Sequence, residues 1–428
     1  MDKKVAFFTL GCKLNFAETS SLAAQFEKKG YKRTNQFKES DIVVINTCAV
    51  TSLAEKKGRN IISRAKRANP NTKIIAMGCY SQLRPDELAN LQQVDLVLGN
   101  EEKFKIFDYI ENNNPDKIFT HPYKEITTFD SAWSSSDRTR TFLKVQDGCN
   151  YFCAYCTIPM ARGLSRSPKI EQVISDIQSI LKEETKEIIL TGVNVGDFGK
   201  QHNETFFQLL ETITEQTKLP RLRLSSIEPN LITDEIIDLV SKNEMIVPHF
   251  HIPLQCGTDK LLKSMNRRYT TEVYAERVRK IKAAIPDACI AADVIVGVPG
   301  ETNDDHLQTI EFLKTLDISY LHVFTYSERP GTKAATMENQ VAKNVRTERS
   351  KALHELSNQF LIKFLKKNLQ NTRPVLYEKE IKGKYIYGFT DNYIRTKAVY
   401  KDGMENQIIE TQLTDIDENN DVIGITKA

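Results

Sequence analysis

Three short apolar runs open the chain, and a cysteine follows each. Val5–Leu10 leads into Gly11-Cys12, Ile42–Ile45 into Asn46-Thr47-Cys48, and Lys73–Met77 into Gly78-Cys79. Uninterrupted runs of this length suit strands buried on both faces. Between the first two, Glu18–Lys29 places Leu22, Ala23 and Phe26 at helical spacing. Between the second two, Leu53–Ala68 follows Ser52, with Glu55 completing a capping-box pattern. Successive cysteines lie 36 and 31 residues apart, the span of strand–helix–strand units. Strands joined that way run parallel, so Cys12, Cys48 and Cys79 are expected together on one carboxyl edge, where open α/β folds place ligands. Val94–Leu98 predicts a further strand and Phe104–Ile110 a helix. The stretch from Glu111 to Ser136, with Asn112-Asn113-Asn114-Pro115 and Ser134-Ser135-Ser136, predicts a linker.

The middle of the chain repeats the alternation six times. Predicted strands are Phe142–Gln146, Glu187–Thr191, Arg221–Ser225, Phe250–Ile252, Cys289–Val296 and Tyr320–Thr325, separated by helical stretches such as Ile170–Leu181, Glu272–Ala284 and Asp304–Lys314. Each strand ends in polar or glycine-rich residues, which describes an incomplete (βα) barrel with its active face at those ends. A helix over Thr347–Leu369 closes this region. Short β-rich runs then follow at Pro374–Ile381, Tyr385–Phe389, Tyr393–Val399 and Ile408–Leu413, the pattern of a small barrel or sandwich. The fold class expected is therefore multi-domain α/β: an N-terminal parallel α/β domain over residues 1–115, a central partial (βα)6 TIM-like barrel over 135–366, and a small C-terminal β-barrel over 368–428.

Composition narrows the class only modestly. The 428 residues are 40% hydrophobic and 27% charged with a net charge of +3, ordinary for a soluble globular protein and too small to argue for nucleic acid. Eight cysteines in a chain this long read as metal ligands in a reducing compartment rather than a secreted disulfide scaffold. The apolar run before Cys12 is shorter than the ~7–15 residues of a signal segment, and no run approaches the ~20 of a membrane span. A cytoplasmic enzyme with no membrane partner is expected.

The sharpest chemistry is Cys149-Asn150-Tyr151-Phe152-Cys153-Ala154-Tyr155-Cys156, a C-x3-C-x2-C spacing. Three thiolates on one loop can hold three irons of a cubane and leave the fourth open for a small molecule to chelate. Zinc and a disulfide are the alternatives, but no second ligand pair stands nearby and a disulfide leaves an odd cysteine. Three strand-end cysteines in register, Cys12, Cys48 and Cys79, form a second candidate cluster site. Cys256 and Cys289 have no partners at ligand spacing and read as buried thiols.

The C-x3-C-x2-C loop, with aromatic Tyr155 before its last cysteine, resembles the signature of radical S-adenosylmethionine enzymes. That resemblance implies a [4Fe-4S] cluster on Cys149, Cys153 and Cys156, with S-adenosylmethionine bound at its free iron. Asn194, Ser226, Glu228, Gln255 and Asp293 at the strand ends are then candidate contacts for S-adenosylmethionine, or else turn-stabilising side chains. Gly192 and Gly297 join them as places of close backbone approach. His251 is open to proton chemistry or a structural role.

Over nearly the whole chain the layout resembles the methylthiotransferases. Thr9-Leu10-Gly11-Cys12-Lys13-Leu14-Asn15, Asn46-Thr47-Cys48-Ala49-Val50-Thr51 and Gly78-Cys79 are similar to the motifs of that family's auxiliary cluster. The terminal β segment is similar to its RNA-binding TRAM domain. Asp147-Gly148-Cys149-Asn150 and Ile158–Ser167 look most like the branch that acts on N6-threonylcarbamoyladenosine beside the tRNA anticodon. The resemblance implies two [4Fe-4S] clusters, S-adenosylmethionine, an unidentified low-potential electron donor, and the anticodon stem-loop of tRNA as substrate at position 37. It also implies the chemistry. A 5′-deoxyadenosyl radical takes hydrogen from adenine C2, and the cluster on Cys12, Cys48 and Cys79 delivers methylthio to that carbon. An aromatic C–H is not acidic enough for a side-chain base, so a cofactor radical is the available route. Methylthiolation of isopentenyladenosine or of a ribosomal protein, or a non-catalytic iron–sulfur sensor of RNA, are the alternatives.

Three features bear on the substrate. A threonylcarbamoyl group carries a carboxylate, so its pocket should offer a cation; Arg162 and Arg166 after the cysteine loop are candidates for it, or for tRNA phosphates. The helix after Cys48 carries Lys56, Lys57, Arg59, Arg64, Lys66 and Arg67, either a solvated face or a phosphate-contacting one. From Arg373 to Lys401, seven basic residues face three acidic ones, with Tyr385, Tyr387, Phe389 and Tyr393 interleaved, suited to stacking on RNA or to packing a core.

Overall fold

A computed structural model describes residues 3–111, 115–134 and 139–427. Asn112–Asn114, Ser135 and Ser136 of the expected linker lie outside the described residues. The N-terminal strands β1 (Lys4–Thr9), β2 (Lys32–Arg33), β3 (Ile42–Thr47), β4 (Lys73–Gly78), β5 (Leu96–Leu98) and β6 (Ile118–Phe119) form one parallel sheet in the order β2-β1-β3-β4-β5-β6. Helices α1 (Lys13–Lys28) and α2 (Ser52–Ala68) are the crossovers. The expected linker is thus partly structured: β6 extends the sheet, and Trp133 bridges to Leu143. The capping of α2 also differs from expectation. Thr51 is the N-cap, accepting from the Ala54 amide at 3.2 Å, while buried Glu55 turns to Arg329 and Arg84. Asn46 pairs with Thr9 and Thr47 with Gly78 in the ladder, so the three cysteine-bearing ends leave the sheet side by side.

The central strands β7 (Arg140–Lys144), β8 (Glu187–Thr191) and β9 (Arg221–Leu224) form one parallel sheet, and β10 (His249–Gln255), β11 (Cys289–Val296) and β12 (Tyr320–Thr325) another. Parallel bridges Leu222–Ile246 and Ser226–His251 join the two into one open arc. Helices on its outer side cover a large apolar core that includes Ile177, Leu209, Val278 and Leu353. Helix Lys343–Asn368 leads into a closed barrel of β13 (Thr372–Lys382), β14 (Tyr385–Thr390), β15 (Arg395–Val399), β16 (Ile408–Ile416) and β17 (Val422–Thr426). The fifth strand comes from the acidic tail, where no strand is expected. It closes the barrel by pairing parallel to β15 and antiparallel to β16, removing both exposed edges.

The small barrel seals the arc at the end opposite the cysteine loop. Arg221 donates to the carbonyls of Pro374 and Phe389, Arg223 to that of Asp391, and Asn392 to that of Asp287. Phe389 stacks on Tyr393 with centroids 4.9 Å apart, and Tyr393 lies 4.6 Å from the His249 ring. Two of the four aromatics considered for base stacking are therefore spent in this contact. Tyr385 and Tyr387 stay on the outer face, with Lys397 and Arg395 over their rings.

Candidate active site

Conformation and packing both drive the N-terminal cysteines together. Gly11 sits at φ +105°, and a Cβ there would stand 3.0 Å from Cys48 Sγ. Gly78 sits at φ +96°, and a Cβ would collide with Asn46 Oδ1 and the Thr47 carbonyl. Only glycine fits such positions without strain. Cys12, Cys48 and Cys79 interact electrostatically with one another, and none is in a disulfide. Asn100 reaches Cys79 Sγ at 3.9 Å, and Asn15 Oδ1 stands 3.8 Å from Cys12 Sγ.

Beneath this triad lies a buried ionic network that joins the two larger units. Arg162 gives Glu18 two hydrogen bonds, at 2.9 and 3.2 Å, and also binds Asp147 at 2.9 Å and Asn15 at 2.6 Å. Lys103 pairs with Glu18 at 2.6 Å, and Lys144 with Asp147 at 3.2 Å. Arg166 donates to the carbonyls of Thr128, Arg162 and Leu164 and to Asp147. Burial raises the Glu18 carboxyl, but Arg162, Lys103 and Lys144 outweigh it and hold the group down at about 2. This corrects the expectation for Arg162 and Arg166. Arg162 is 1% exposed and Arg166 4%, with their donors spent inside the protein, so neither presents a free cation to a substrate or a phosphate.

The second triad sits on the loop after β7. Cys149 Sγ accepts from the Tyr151 amide and Cys156 Sγ from the Ile158 amide, both at 3.4 Å. The segment 265–269 cradles this loop. Ala154 N–H donates to the Met265 carbonyl at 3.0 Å, and Asn266, at φ +60°, donates to the carbonyls of Tyr151 and Phe152. Arg267 donates to Cys153 Sγ at 3.0 Å and to the Tyr155 hydroxyl at 3.4 Å, and pairs with Glu228. Arg267 escapes a reading by ligand spacing; its one sequence signal is the polar cluster Asn266-Arg267-Arg268 directly after a short helix.

Both triads fit clusters. Burial first, and neighbouring thiols second, push Cys48 and Cys156 up to about 12; burial does the same to Cys149. Bare thiolates are disfavoured there, and a metal centre takes them as thiolates while supplying the compensating charge. The network under Cys12, Cys48 and Cys79 fits as well: four buried cations, Lys103, Lys144, Arg162 and Arg166, face two wholly buried carboxylates and the partly buried Asp130, which interacts with Lys144, Lys103 and Arg166. Thiolates holding a cluster at this triad would complete the balance. Cys256 and Cys289 lie buried in apolar clusters; that of Cys256 includes Ala154 of the cysteine loop, and its Sγ donates to the Ile295 carbonyl at 3.7 Å.

The remaining candidates divide. Asn194 is held by Asp197 and the Glu228 amide, Glu228 by Arg267, and Asp293 by His251 at 2.7 Å. Ser226 bridges to His251. The close approach at Gly192 is to Gln146, and at Gly297 to Arg346, so protein packing explains both glycines. Gln255 differs from these: it stands at φ +70°, and its buried Oε1 has no hydrogen-bond partner among the described residues. It lines a cavity of about 390 Å³ between the two triads. Val50, Thr51 and Leu53, just after Cys48, form one wall; Tyr155, Cys156 and Thr157 form another, with Phe324 and Arg329 closing it. Arg329 has two buried N–H groups without partners, although its charge is paired with Glu55.

Comparison with known proteins agrees with this geometry. Residues 4–99 match the uncharacterized protein family UPF0004, and residues 143–313 the radical SAM superfamily. The chain is 40% identical to the threonylcarbamoyladenosine tRNA methylthiotransferase MtaB of Bacillus subtilis, over 94% of this chain and 91% of that protein. It is 36% identical to a tRNA-2-methylthio-N(6)-dimethylallyladenosine synthase of Fusobacterium nucleatum, over 83% and 84%. In fold it is similar to the radical S-adenosylmethionine methyltransferase TsrM of Kitasatospora setae, with TM-score 0.59 at 13% identity over 89% of this chain and 79% of that one. The chain belongs to the radical S-adenosylmethionine methylthiotransferases and, within them, to the MtaB-type enzymes that act on tRNA.

Proposed function

We propose that this protein adds a methylthio group to C2 of N6-threonylcarbamoyladenosine at position 37 of tRNA. The observation that carries the reading is the cavity whose walls are the residues following Cys48 and the residues around Cys156. A base held there lies between the two cysteine triads. Bound [4Fe-4S] clusters and S-adenosylmethionine supply the radical hydrogen abstraction and sulfur transfer that an unactivated aromatic C–H requires. The chain's own residues do the rest. Arg267 fixes Cys153 and Tyr155, apolar Val50, Leu53 and Phe324 offer the ring a dry surface, and Gln255 offers an unused acceptor.

The central strands read as a (βα)6 TIM-like barrel spanning 135–366, flanked by an auxiliary-cluster domain at 1–115 and a TRAM-like RNA-binding domain at 368–428. Cys12, Cys48 and Cys79 hold the auxiliary cluster and Cys149, Cys153 and Cys156 the other. Tyr155, Gln255 and the strand-end groups Ser226, Glu228 and Asp293 face S-adenosylmethionine. The anticodon stem-loop reaches the cavity past exposed Lys56 and Lys57, with Tyr385 and Tyr387 contacting RNA farther out. A low-potential electron donor serves the reaction, in the cytoplasm; no helix among the described residues is long and apolar enough to cross a membrane.

The test is direct. Anaerobically reconstituted protein should convert a threonylcarbamoylated anticodon stem-loop to its methylthio product, read by mass spectrometry of the nucleosides. Conversion of isopentenyladenosine with no conversion of threonylcarbamoyladenosine would overturn the assignment.

A further inference from the structure

Arg329 closes the cavity between the triads from the loop after β12, and it is the one charged residue among the described residues lining it. It is almost wholly buried, at 4% exposure. Its position is fixed from both ends. Nη2 donates to Glu55 of α2, and the Arg329 carbonyl accepts from the Thr332 amide at 3.2 Å and hydroxyl at 2.7 Å. Glu55 is shared, since Arg84 stands 3.5 Å from its other oxygen. The neighbouring acid Glu328 turns instead to Arg346, at 2.6 Å. Nε and Nη1 of Arg329 are left with no hydrogen-bond partner among the described residues.

A buried N–H without an acceptor is costly, and folded proteins leave few of them. Gln255 adds another unmade bond in the same cavity. It is 7% exposed, its Oε1 accepts from nothing, and the register of β10 on β11 shifts between Pro253 and Gln255. A bulge of this kind re-aims a side chain. Around these polar atoms the lining is largely apolar, with Val50, Leu53, Ile295 and Phe324 among it. An apolar cavity with a few convergent polar groups is the form of a small-molecule site. Two open N–H donors on a guanidinium favour an acceptor that carries negative charge, because charge-assisted hydrogen bonds are the stronger ones.

We propose that Arg329 binds the carboxylate of the threonylcarbamoyl group through its open N–H groups and so selects the substrate. It takes the role for which Arg162 and Arg166 are too deeply committed. The inference rests on the threonylcarbamoyladenosine reading above. The geometry suits it, because in adenine only N1 separates C2 from the carbon bearing N6. A ring that presents C2 to the space between the triads keeps its N6 substituent within or beside the same cavity. An isopentenyl group offers no acceptor and would leave the Arg329 donors buried and unpaired.

The experiment compares two anticodon stem-loops, one with threonylcarbamoyladenosine and one with its neutral carboxamide, for binding and turnover by the reconstituted protein, by R329M and by R329Q. R329Q is the gentler change, because glutamine can still donate to Glu55. The parent should bind the carboxylate form about tenfold more tightly, the difference between a charge-assisted and a neutral hydrogen bond. Both variants should lose that preference. A parent that binds both forms alike overturns the proposal, whether or not either variant folds. So does a variant that keeps the preference. A variant that loses iron, or loses affinity for both forms alike, marks a structural role and also overturns it. S-adenosylmethionine carries a carboxylate too, so its binding is measured without RNA: an R329Q that weakens it while the RNA preference stays puts Arg329 on the cofactor instead. A parent that does not modify threonylcarbamoyladenosine overturns the functional reading itself, a result visible before any variant is made.

Discussion

Replacing Arg162 by methionine tests how the two cysteine triads are held together. The side chain is fully buried and gives four hydrogen bonds to Glu18, Asp147 and Asn15. Methionine fills much of the volume but leaves two buried carboxylates short of a partner. Removing one member of a buried ion pair costs about 3–5 kcal/mol. Lys103 and Lys144 still serve Glu18, and Lys144 and Arg166 still serve Asp147, which favours the lower end. At about 2.1 cal/mol/K of unfolding entropy per residue, a chain of 428 residues shifts by roughly 1 °C per kcal/mol, so the unfolding midpoint should fall by about 3 °C or more. Arg162 also interacts favourably with Cys12 and Cys48 as thiolates, so iron at the N-terminal triad should be lost first. The assay is thermal unfolding of anaerobically reconstituted parent and R162M by circular dichroism, with iron per chain measured on the same samples. R162K keeps the charge without the planar fork and should fall between. A midpoint within about 1 °C of the parent, with unchanged iron, would refute the claim that this network joins the two sites.

Three further outcomes follow from named contacts. R267M removes the donor to Cys153 and the partner of Glu228, and should slow reductive formation of 5′-deoxyadenosine by about tenfold or more, by the usual effect of a group behind a metal ligand; an unchanged rate excludes that role. Glu18 is held at about 2 against an ordinary 4.5, so its contribution to stability is present above pH 4.5 and is lost as pH falls toward 2. Acid titration of iron-free protein by fluorescence should show this loss, and E18Q should flatten it. Replacing Tyr385 and Tyr387 by alanine should weaken tRNA binding in a gel-shift assay with little change in unfolding. The same change at Phe389 and Tyr393 should lower the unfolding midpoint instead, because those rings seal the barrel floor.

The strand frame was readable because buried parallel strands have a simple signature, a short apolar run. Cys289–Val296 and Tyr320–Thr325 are read to the residue. Val422–Thr426 escapes because it lies in an acidic tail and becomes a strand only by closing a barrel whose edges are already in place. The clusters were readable from cysteine spacing and strand register, and the fate of the polar residues was not. On α1, the apolar stripe of Leu22, Ala23 and Phe26 is plain, yet Asn15, Glu18 and Thr19 are equally buried on another face. Periodicity assigns such a face to solvent, because its partners, Arg162, Lys103 and Lys144, come from more than 80 residues away. Arg162 and Arg166 look free for a substrate for the same reason: proximity to the cysteine loop in sequence says nothing about which carboxylates the fold brings to meet them.

The two halves of the site depend on each other through these buried charges. Asn15 accepts from Arg162 beside Cys12, and Asn100 links Lys103 to Cys79, so the polar side chains that position the N-terminal sulfurs also bind the charges that dock this sheet onto β7. Four cations against Glu18, Asp147 and the partly buried Asp130 leave positive charge over, and the thiolates of a loaded triad would offset it. Docking and cluster loading therefore favour one another. The cavity that would hold the base has one wall on each side of this junction, so it takes its shape only when the junction is closed.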